Sequence, residues 1–214
     1  LYIAHYRRAQ QRFLKIRELL NEGAIGKIEN VVFHIKRTFS PEDLKHEWLY
    51  DPAMSGGGKF YDIAPHAVDM IHFLFGSIVK AEGRAENLGT GCPMENYVEM
   101  SFETEKGILV AGTFHGVSDE RSDRMYVKGT KGTMEFSVHG KSDIVLKDLR
   151  GNVLEEYALP EPVIVEEPMI KSVVDDLQGI GVCESRAEDV LVTYEVIDRV
   201  LESFYGGRSD EFWK

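Results

Sequence analysis

The sequence predicts an α+β fold in which helices pack on one face of an open, mostly antiparallel sheet. Between about residue 78 and residue 159, runs of alternating polar and apolar residues are separated by glycine-containing turns, which is typical of antiparallel strands. The segments on either side of this region space their apolar residues as amphipathic helices do. The chain has 214 residues, 43% of them hydrophobic, which is enough for one large domain with a packed core.

The first 39 residues predict a strand, a helix and a second strand. Residues 1–6, LYIAHY, alternate with period two, although a strand at the start of a chain has no neighbour before it. We therefore expect the natural chain to begin earlier; a processed or trimmed N-terminus is the alternative. Residues 9–23 have helical spacing and end in a glycine, and residues 27–39 are rich in β-branched and aromatic side chains.

A loop and a long helix follow. Residues 40–58 contain two prolines and three consecutive glycines, which are loop signals. Residues 59–75 are apolar at helical spacing and stop before a glycine. Pro65 lies inside this segment, so the predicted helix either starts near Asp62 or bends at the proline.

The predicted strands have one apolar and one polar face. Val98, Met100 and Phe102 form the apolar face of one strand, and Met125 and Val127 form that of another. This face requires a cover of helices. The opposite face is polar and aromatic and is open to water or to a second subunit; it carries Tyr97, Glu99, Glu103 and Tyr126.

Two helices are predicted at the C-terminal end, after the proline-containing linker at residues 159–168. The first covers residues 169–179. The second begins at Ser185, because Ser185 and Glu188 form the Ser-x-x-Glu pattern of a capping box.

The composition excludes several classes of function. Acidic residues outnumber basic ones by 36 to 25, and the net charge of −11 argues against a nucleic-acid partner. No apolar run approaches the roughly 18 residues of a membrane span, and no signal-peptide pattern opens the chain. Cys92 and Cys183 form neither a CxxC motif nor a disulfide framework, so we expect a cytoplasmic location.

The sequence has no dinucleotide fingerprint of its own. G-x-G-x-x-G is absent, since Tyr61 stands where the glycines at 56–58 would require a further glycine. The phosphate-binding G-x-x-x-x-G-K-[ST] and the nucleophile elbow G-x-S-x-G are absent as well. The chain is therefore not expected to cradle a dinucleotide by itself.

One stretch, from Trp48 to His72, concentrates residues that can move protons. Asp62 and His66 are four positions apart and share a helix face, so the carboxylate can orient the imidazole and raise its proton affinity. Such an imidazole can exchange a proton with a hydroxyl group near neutral pH. An ion pair on a helix surface is the alternative interpretation, and the spacing does not favour a metal site.

The segment SGGGKFYDIAPHAVDMIHFLFG resembles the signature of the Gfo/Idh/MocA family, roughly GGG-x-x-x-D-x-G-x-H-x-x-D. HYRRAQQRFLKIRELLNEGAIGKI, Trp48 and SRAEDVLVTYEVIDRVLES are similar to further family segments, in the family's order. The resemblance implies the second domain of a Rossmann-type oxidoreductase over residues 1–214, with residues 1–6 a remnant of the junction. A nucleotide-binding domain, with the family's catalytic lysine, would then precede Leu1.

The resemblance also implies roles for individual residues. His66 would be the catalytic acid/base on a sugar or polyol hydroxyl, and Asp62 would orient that hydroxyl or the imidazole. Trp48 would lie near substrate and nicotinamide, and Arg8 would face the NAD or NADP cofactor. Lys59 and Asp69 are further candidates for substrate binding. The sequence departs from the family pattern at position 64, where alanine replaces the usual glycine and a proline follows.

The resulting prediction is the catalytic domain of an NAD(P)-dependent oxidoreductase acting on a CH–OH group, inactive as an isolated fragment. Two alternatives remain at this point, a non-catalytic sensor of sugar or cofactor and an oligomerisation module. The resemblance further implies a homodimer or tetramer that forms through the open face of the sheet.

Overall fold

The computed structural model describes residues 1–39, 48 and 51–207; residues 40–47, 49 and 50 of the predicted loop lie outside this part of the chain. A 3₁₀ turn at Tyr6–Ala9 precedes the helices α1 Gln11–Asn21, α2 Pro52–Ser55, α3 Lys59–Phe75, α4 Glu167–Leu177 and α5 Ala187–Tyr205. The strands are β1 Ile28–Lys36, β2 Ile78–Glu86, β3 Tyr97–Thr104, β4 Leu109–His115, β5 Ser122–Gly129, β6 Gly132–Phe136, β7 Ile144–Asp148 and β8 Val153–Tyr157.

The described strands form one open sheet in the order β2-β3-β4-β1-β5-β6-β7-β8. β1 pairs with β4 in parallel, and the other pairings are antiparallel. The fold class predicted from the sequence is therefore confirmed. β1 lies between β4 and β5 in the middle of the sheet, and its antiparallel pairing with β5 puts the end of β1 beside the start of β5.

The apolar face of the sheet is covered by α3 and α5. The side chains of Val98, Met100 and Phe102 are buried there, as predicted, together with those of Met125 and Val127. α5 packs on β2, while α3 packs on β3 and on α5. This arrangement explains the amphipathic spacing of the helices, whose apolar side chains complete the same core.

No helix of the described part of the chain covers the opposite, open face, and the alternation predicted for it is confirmed. Val32 on β1 and Tyr126 on β5 are direct neighbours in the register of the sheet, and both are more than a third exposed. Leu109 on β4 is exposed as well.

Two local predictions were wrong. Residues 1–6 form an isolated bridge between Tyr2 and Arg186 rather than a strand, since their neighbour is the loop before α5 and not the sheet. The N-cap of α5 is Arg186, one position later than predicted, and its backbone N–H donates a hydrogen bond to the carboxylate of Asp189. The Ser185 hydroxyl instead donates a hydrogen bond to the carbonyl oxygen of Ile3, which fixes the N-terminal segment.

α3 begins at Lys59 and continues through Pro65, so it starts before Asp62. Both cysteines are free thiols. Within the described residues, no helix is long and apolar enough to cross a membrane.

Candidate functional site

A cleft of about 360 Å³ lies at the N-terminal half of α3. Its walls come from the start of the chain, the glycine-rich loop, α3 and α5. The lining residues are Ile3, Ala4, His5, Trp48, Ser55, Gly57, Gly58, Tyr61, Asp62, Pro65, His66 and Tyr194. The volume falls in the range of small-molecule sites, roughly 300–1,000 Å³.

The glycine-rich loop is fixed by a buried carboxylate. Both carboxylate oxygens of Glu95 accept hydrogen bonds from the Gly58 backbone N–H, at 2.8 and 2.9 Å, and the Tyr205 hydroxyl donates to one of them. A Cβ on Gly58 would lie 2.5 Å from the carbonyl oxygen of Glu95. The absence of a side chain at Gly58 therefore allows the loop to approach the backbone of Glu95 closely.

His66 sits among aromatic rings at the back of the cleft. Its ring centroid lies 5.5 Å from that of Tyr6, 5.8 Å from that of His5 and 6.0 Å from that of His139. Its Nδ1 is buried without a hydrogen-bond partner in the part of the chain that the structure describes. This leaves Nε2 as the ring nitrogen for a molecule in the cleft.

The protonation of His66 differs from the expectation. The sequence predicted a raised proton affinity, whereas burial lowers the pKa of His66 to about 3, and the nearby charge of Arg7 lowers it further. Asp62 does not offset this effect. It is exposed, and among the described residues no hydrogen bond or ion pair joins it to His66. His66 is therefore neutral near pH 7, and the carboxylate of Asp62 faces solvent in the same cleft.

Asp69 and Arg8 lie beneath the cleft rather than in it. Asp69 is fully buried and accepts hydrogen bonds from Nε and Nη2 of Arg8. The remaining Arg8 nitrogen, Nη1, donates to the carbonyl oxygen of Glu184. Neither side chain lines the cleft, because each satisfies the other in the interior. The two side chains pair with each other here, and the contacts predicted for Asp69 with substrate and for Arg8 with cofactor stay predictions.

Lys59 points to a different cavity. It lines a space of about 20 Å³ together with Glu95, on the other side of the glycine-rich loop. The structure therefore brings Trp48, Asp62 and His66 together and leaves Lys59, Asp69 and Arg8 outside the cleft.

Two histidines that the sequence did not single out adjoin His66. His5 is 3% exposed, lines the cleft and has its Nδ1 3.5 Å from a carboxylate oxygen of Asp69. His139 donates a hydrogen bond from its Nε2–H to the carbonyl oxygen of Ile63 in α3, and its Nδ1 lies 3.6 Å from a carboxylate oxygen of Asp123. Only tertiary contacts identify these residues, since their partners are more than ten positions away along the chain.

The cleft offers a neutral imidazole and an exposed carboxylate to one small molecule. A neutral imidazole can accept a proton or donate a hydrogen bond, and a carboxylate can accept a hydrogen bond from a hydroxyl group. Within the described residues, no group of three or more His, Cys, Asp or Glu side chains is placed to hold a metal ion.

The sequence matches one family model, described as the GFO/IDH/MocA C-terminal domain, over residues 13–135. It is also similar to oxidoreductase P35 of Formosa agariphila, with 33% identity over 180 residues. That match covers 80% of this chain and 53% of the relative, so the chain spans about half the length of that protein.

Solved structures share the fold. An oxidoreductase from Thermotoga maritima superposes with a TM-score of 0.79 at 22% identity, over 95% of this chain and 60% of the other. A levoglucosan dehydrogenase, solved in complex with NADH and levoglucosan, superposes with a TM-score of 0.77 at 18% identity, over 97% of this chain and 64% of the other.

Proposed function

Because the chain belongs to the GFO/IDH/MocA family, we propose that it forms the substrate-binding and catalytic part of an NAD(P)-dependent oxidoreductase acting on the CH–OH group of a sugar or polyol. The observation that carries the proposal is the presence of Asp62 and His66 in the wall of one cleft. The levoglucosan dehydrogenase of the same fold, which binds NADH and a sugar derivative, supports the substrate class.

The cofactor is proposed to be NAD or NADP. A bound nicotinamide accepts or supplies the hydride of such a reaction. The cleft, at about 360 Å³, fits a sugar and the reactive end of a cofactor but not a whole dinucleotide. Trp48 would lie against the nicotinamide, while a separate nucleotide-binding domain would hold the rest of the cofactor, since this sequence has no dinucleotide fingerprint.

His66 and Asp62 have different roles toward the substrate. Nε2 of the neutral His66 accepts the hydroxyl proton during oxidation and returns it to the same oxygen during reduction. Asp62 accepts a hydrogen bond from a neighbouring hydroxyl and so orients the sugar. Because burial disfavours the imidazolium form of His66, the ring releases the proton to solvent after oxidation and takes one up from solvent before reduction.

The open face of the sheet is the proposed subunit interface, giving a homodimer or tetramer. Val32, Leu109 and Tyr126 place exposed apolar surface on the three central strands, β1, β4 and β5. Uncovered apolar surface of this kind is typical of protein–protein contacts.

The test uses the full-length protein that includes the nucleotide-binding domain, assayed with NAD⁺ and NADP⁺ against sugars and polyols. His66→Ala should reduce kcat by about a hundredfold or more while KM changes little, as expected for a lost acid/base. His115→Ala, outside the cleft lining, is the matched control and should retain activity. Unchanged turnover of His66→Ala would remove this residue from the mechanism, and a wild-type protein without oxidoreductase activity would favour a sensory role.

A further inference from the structure

A second cavity, of about 310 Å³, lies beside the cleft. It is lined by Arg37, Arg121, Ser122, Asp123, Arg124, Ser137, His139 and Gly140. These residues follow β1, begin β5 and follow β6, so the cavity lies at the sheet edge where those strands meet. His139 lines this cavity and lies next to the cleft, since its ring centroid is 6.0 Å from that of His66.

Among the described residues that line this cavity, Asp123 supplies the one carboxylate, and its hydrogen-bonding capacity is already used. Asp123 is 7% exposed and accepts hydrogen bonds from the Ser137 hydroxyl and from the backbone N–H groups of His139 and Gly140. Although burial alone would raise the pKa of Asp123, the hydrogen bonds from His139 and Ser137 hold it well below the usual range. Asp123 is therefore a structural anion that orders the loop at residues 137–140.

The arginines of the cavity exceed the available carboxylates. Arg124 forms an ion pair with Glu135, in which Nε lies 3.4 Å from a carboxylate oxygen. Arg37 donates from Nη1 only to backbone carbonyl oxygens, those of Lys36 and Ser122. Over residues 1–39, 48 and 51–207, neither Arg37 nor Arg121 has an ion-pair partner.

The surroundings of Arg37 add further positive charge. Burial lowers its pKa; the carboxylate of Asp123 opposes this shift, while the like charges of Arg121 and Arg7 add to it. Arg7 itself is 9% exposed, and its Nη1 has no hydrogen-bond partner among the described residues. In a chain of net charge −11, this local excess of guanidinium groups favours an anionic ligand.

We propose that this cavity binds the carboxylate of an acidic sugar, with Arg37 and Arg121 as the recognising groups, while the reacting hydroxyl of the same molecule lies at His66. The inference rests on the proposed function and narrows its substrate class to sugar acids, such as uronates and aldonates. Guanidinium groups pair with a carboxylate through two parallel N–H···O bonds, which a neutral sugar cannot supply. A neutral sugar would leave both arginines unpaired.

The test is a binding experiment on this 214-residue chain, followed by NMR of the histidine rings. Glucuronate, galacturonate and gluconate are each compared with the neutral sugar or alditol of the same configuration. At least one acid should bind about tenfold more tightly than its neutral counterpart, a difference of about 1.4 kcal/mol, and should shift the His66 and His139 signals together. Equal affinity within every pair, or no binding of any acid, overturns the proposal.

Substitutions of Arg37 and Arg121 test whether these two residues cause the preference for the acidic sugar. Arg121→Gln, an exposed position, should remove most of the preference for the acid, and Arg37→Gln with Arg121→Gln should abolish it while the affinity for the neutral sugar is kept. Arg150→Gln, in the exposed turn between β7 and β8, is the control and should leave the preference unchanged. A preference that survives the double substitution contradicts the assignment.

Titrations with inorganic phosphate and with acetate distinguish a failure of this proposal from a failure of the proposed function. If they shift only His139 and do not compete with the acidic sugars, the cavity is a general anion site and the substrate assignment fails. If an acidic sugar shifts His139 and depends on Arg121 but leaves His66 unaffected, the anion site is supported and the catalytic role of His66 is contradicted. Thermal melting of each variant checks that the fold is retained.

Discussion

Arg8 and Asp69, 61 positions apart, form a buried ion pair in which the guanidinium donates to both carboxylate oxygens, with the shortest contact at 2.6 Å. Both side chains are at most 5% exposed. The pair joins the 3₁₀ turn at the start of the chain to the middle of α3. It thereby places His5 against His66, with their ring centroids 5.8 Å apart. One interior contact thus fixes the wall of the cleft.

Replacing Asp69 by Asn should destabilise the protein by about 3–5 kcal/mol, because it leaves the buried charge of Arg8 without a counterion. Urea unfolding, followed by circular dichroism, measures the free energy of unfolding. Asp143→Asn, at an exposed position, is the control, with an expected change within about 0.5 kcal/mol. If Asp69→Asn lowers the free energy of unfolding no more than the control does, the ion pair contributes little to stability.

Replacing Gly58 by Ala should cost about 1–3 kcal/mol, the usual range for overpacking. The new Cβ would lie 2.5 Å from the carbonyl oxygen of Glu95, and backbone cannot move away as a flexible side chain can. The same change should weaken sugar binding in the cleft, since Gly58 is part of its wall. Chemical unfolding and calorimetric titration measure the two effects. An alanine variant as stable as the wild type would contradict the observed contact.

The fold could be predicted from the sequence because its determinants are local. Alternation in β3 and β5 identifies the buried face, and helical spacing identifies α3 despite Pro65. The same helical spacing correctly put Asp62 and His66 on one surface. It could not reveal that His66 would be buried, or that Arg7 would lie near it, because the residues that surround its ring come from distant parts of the chain. Both effects lower the pKa of His66.

The remaining parts of the site depend on tertiary contacts. Asp69 was a candidate for substrate binding, but its side chain lies in the interior, where it pairs with Arg8 from the start of the chain. His139 contacts Ile63 across 76 positions, so no sequence pattern relates the two. The one-residue shift in the cap of α5 has the same origin, since Ser185 is engaged by Ile3.

The stability of the protein should fall on acidification from pH 6.5 towards about pH 3, partly because of His66. Its folded-state pKa is lowered from 6.5 to about 3, so in this window the unfolded chain binds the proton more readily than the folded one. His66→Gln should reduce the slope of unfolding free energy against pH by up to about 1.4 kcal/mol per pH unit. Urea unfolding at several pH values measures the slope; identical slopes in the two proteins would show that the imidazole is not shielded as described.

The exposed apolar surface on β1 and β5 should govern assembly. Val32 and Tyr126 are adjacent in the sheet register, and a lysine at either position would bring like charges together across a symmetric contact. Val32→Lys and Tyr126→Lys should therefore shift the chain towards monomer in size-exclusion chromatography with light scattering. Leu149→Lys, in the exposed turn between β7 and β8, adds the same charge away from this surface and should leave the mass unchanged. A wild-type protein that stays monomeric at high concentration, or lysine variants that assemble as the wild type does, would place the subunit contact elsewhere and leave the open face to water.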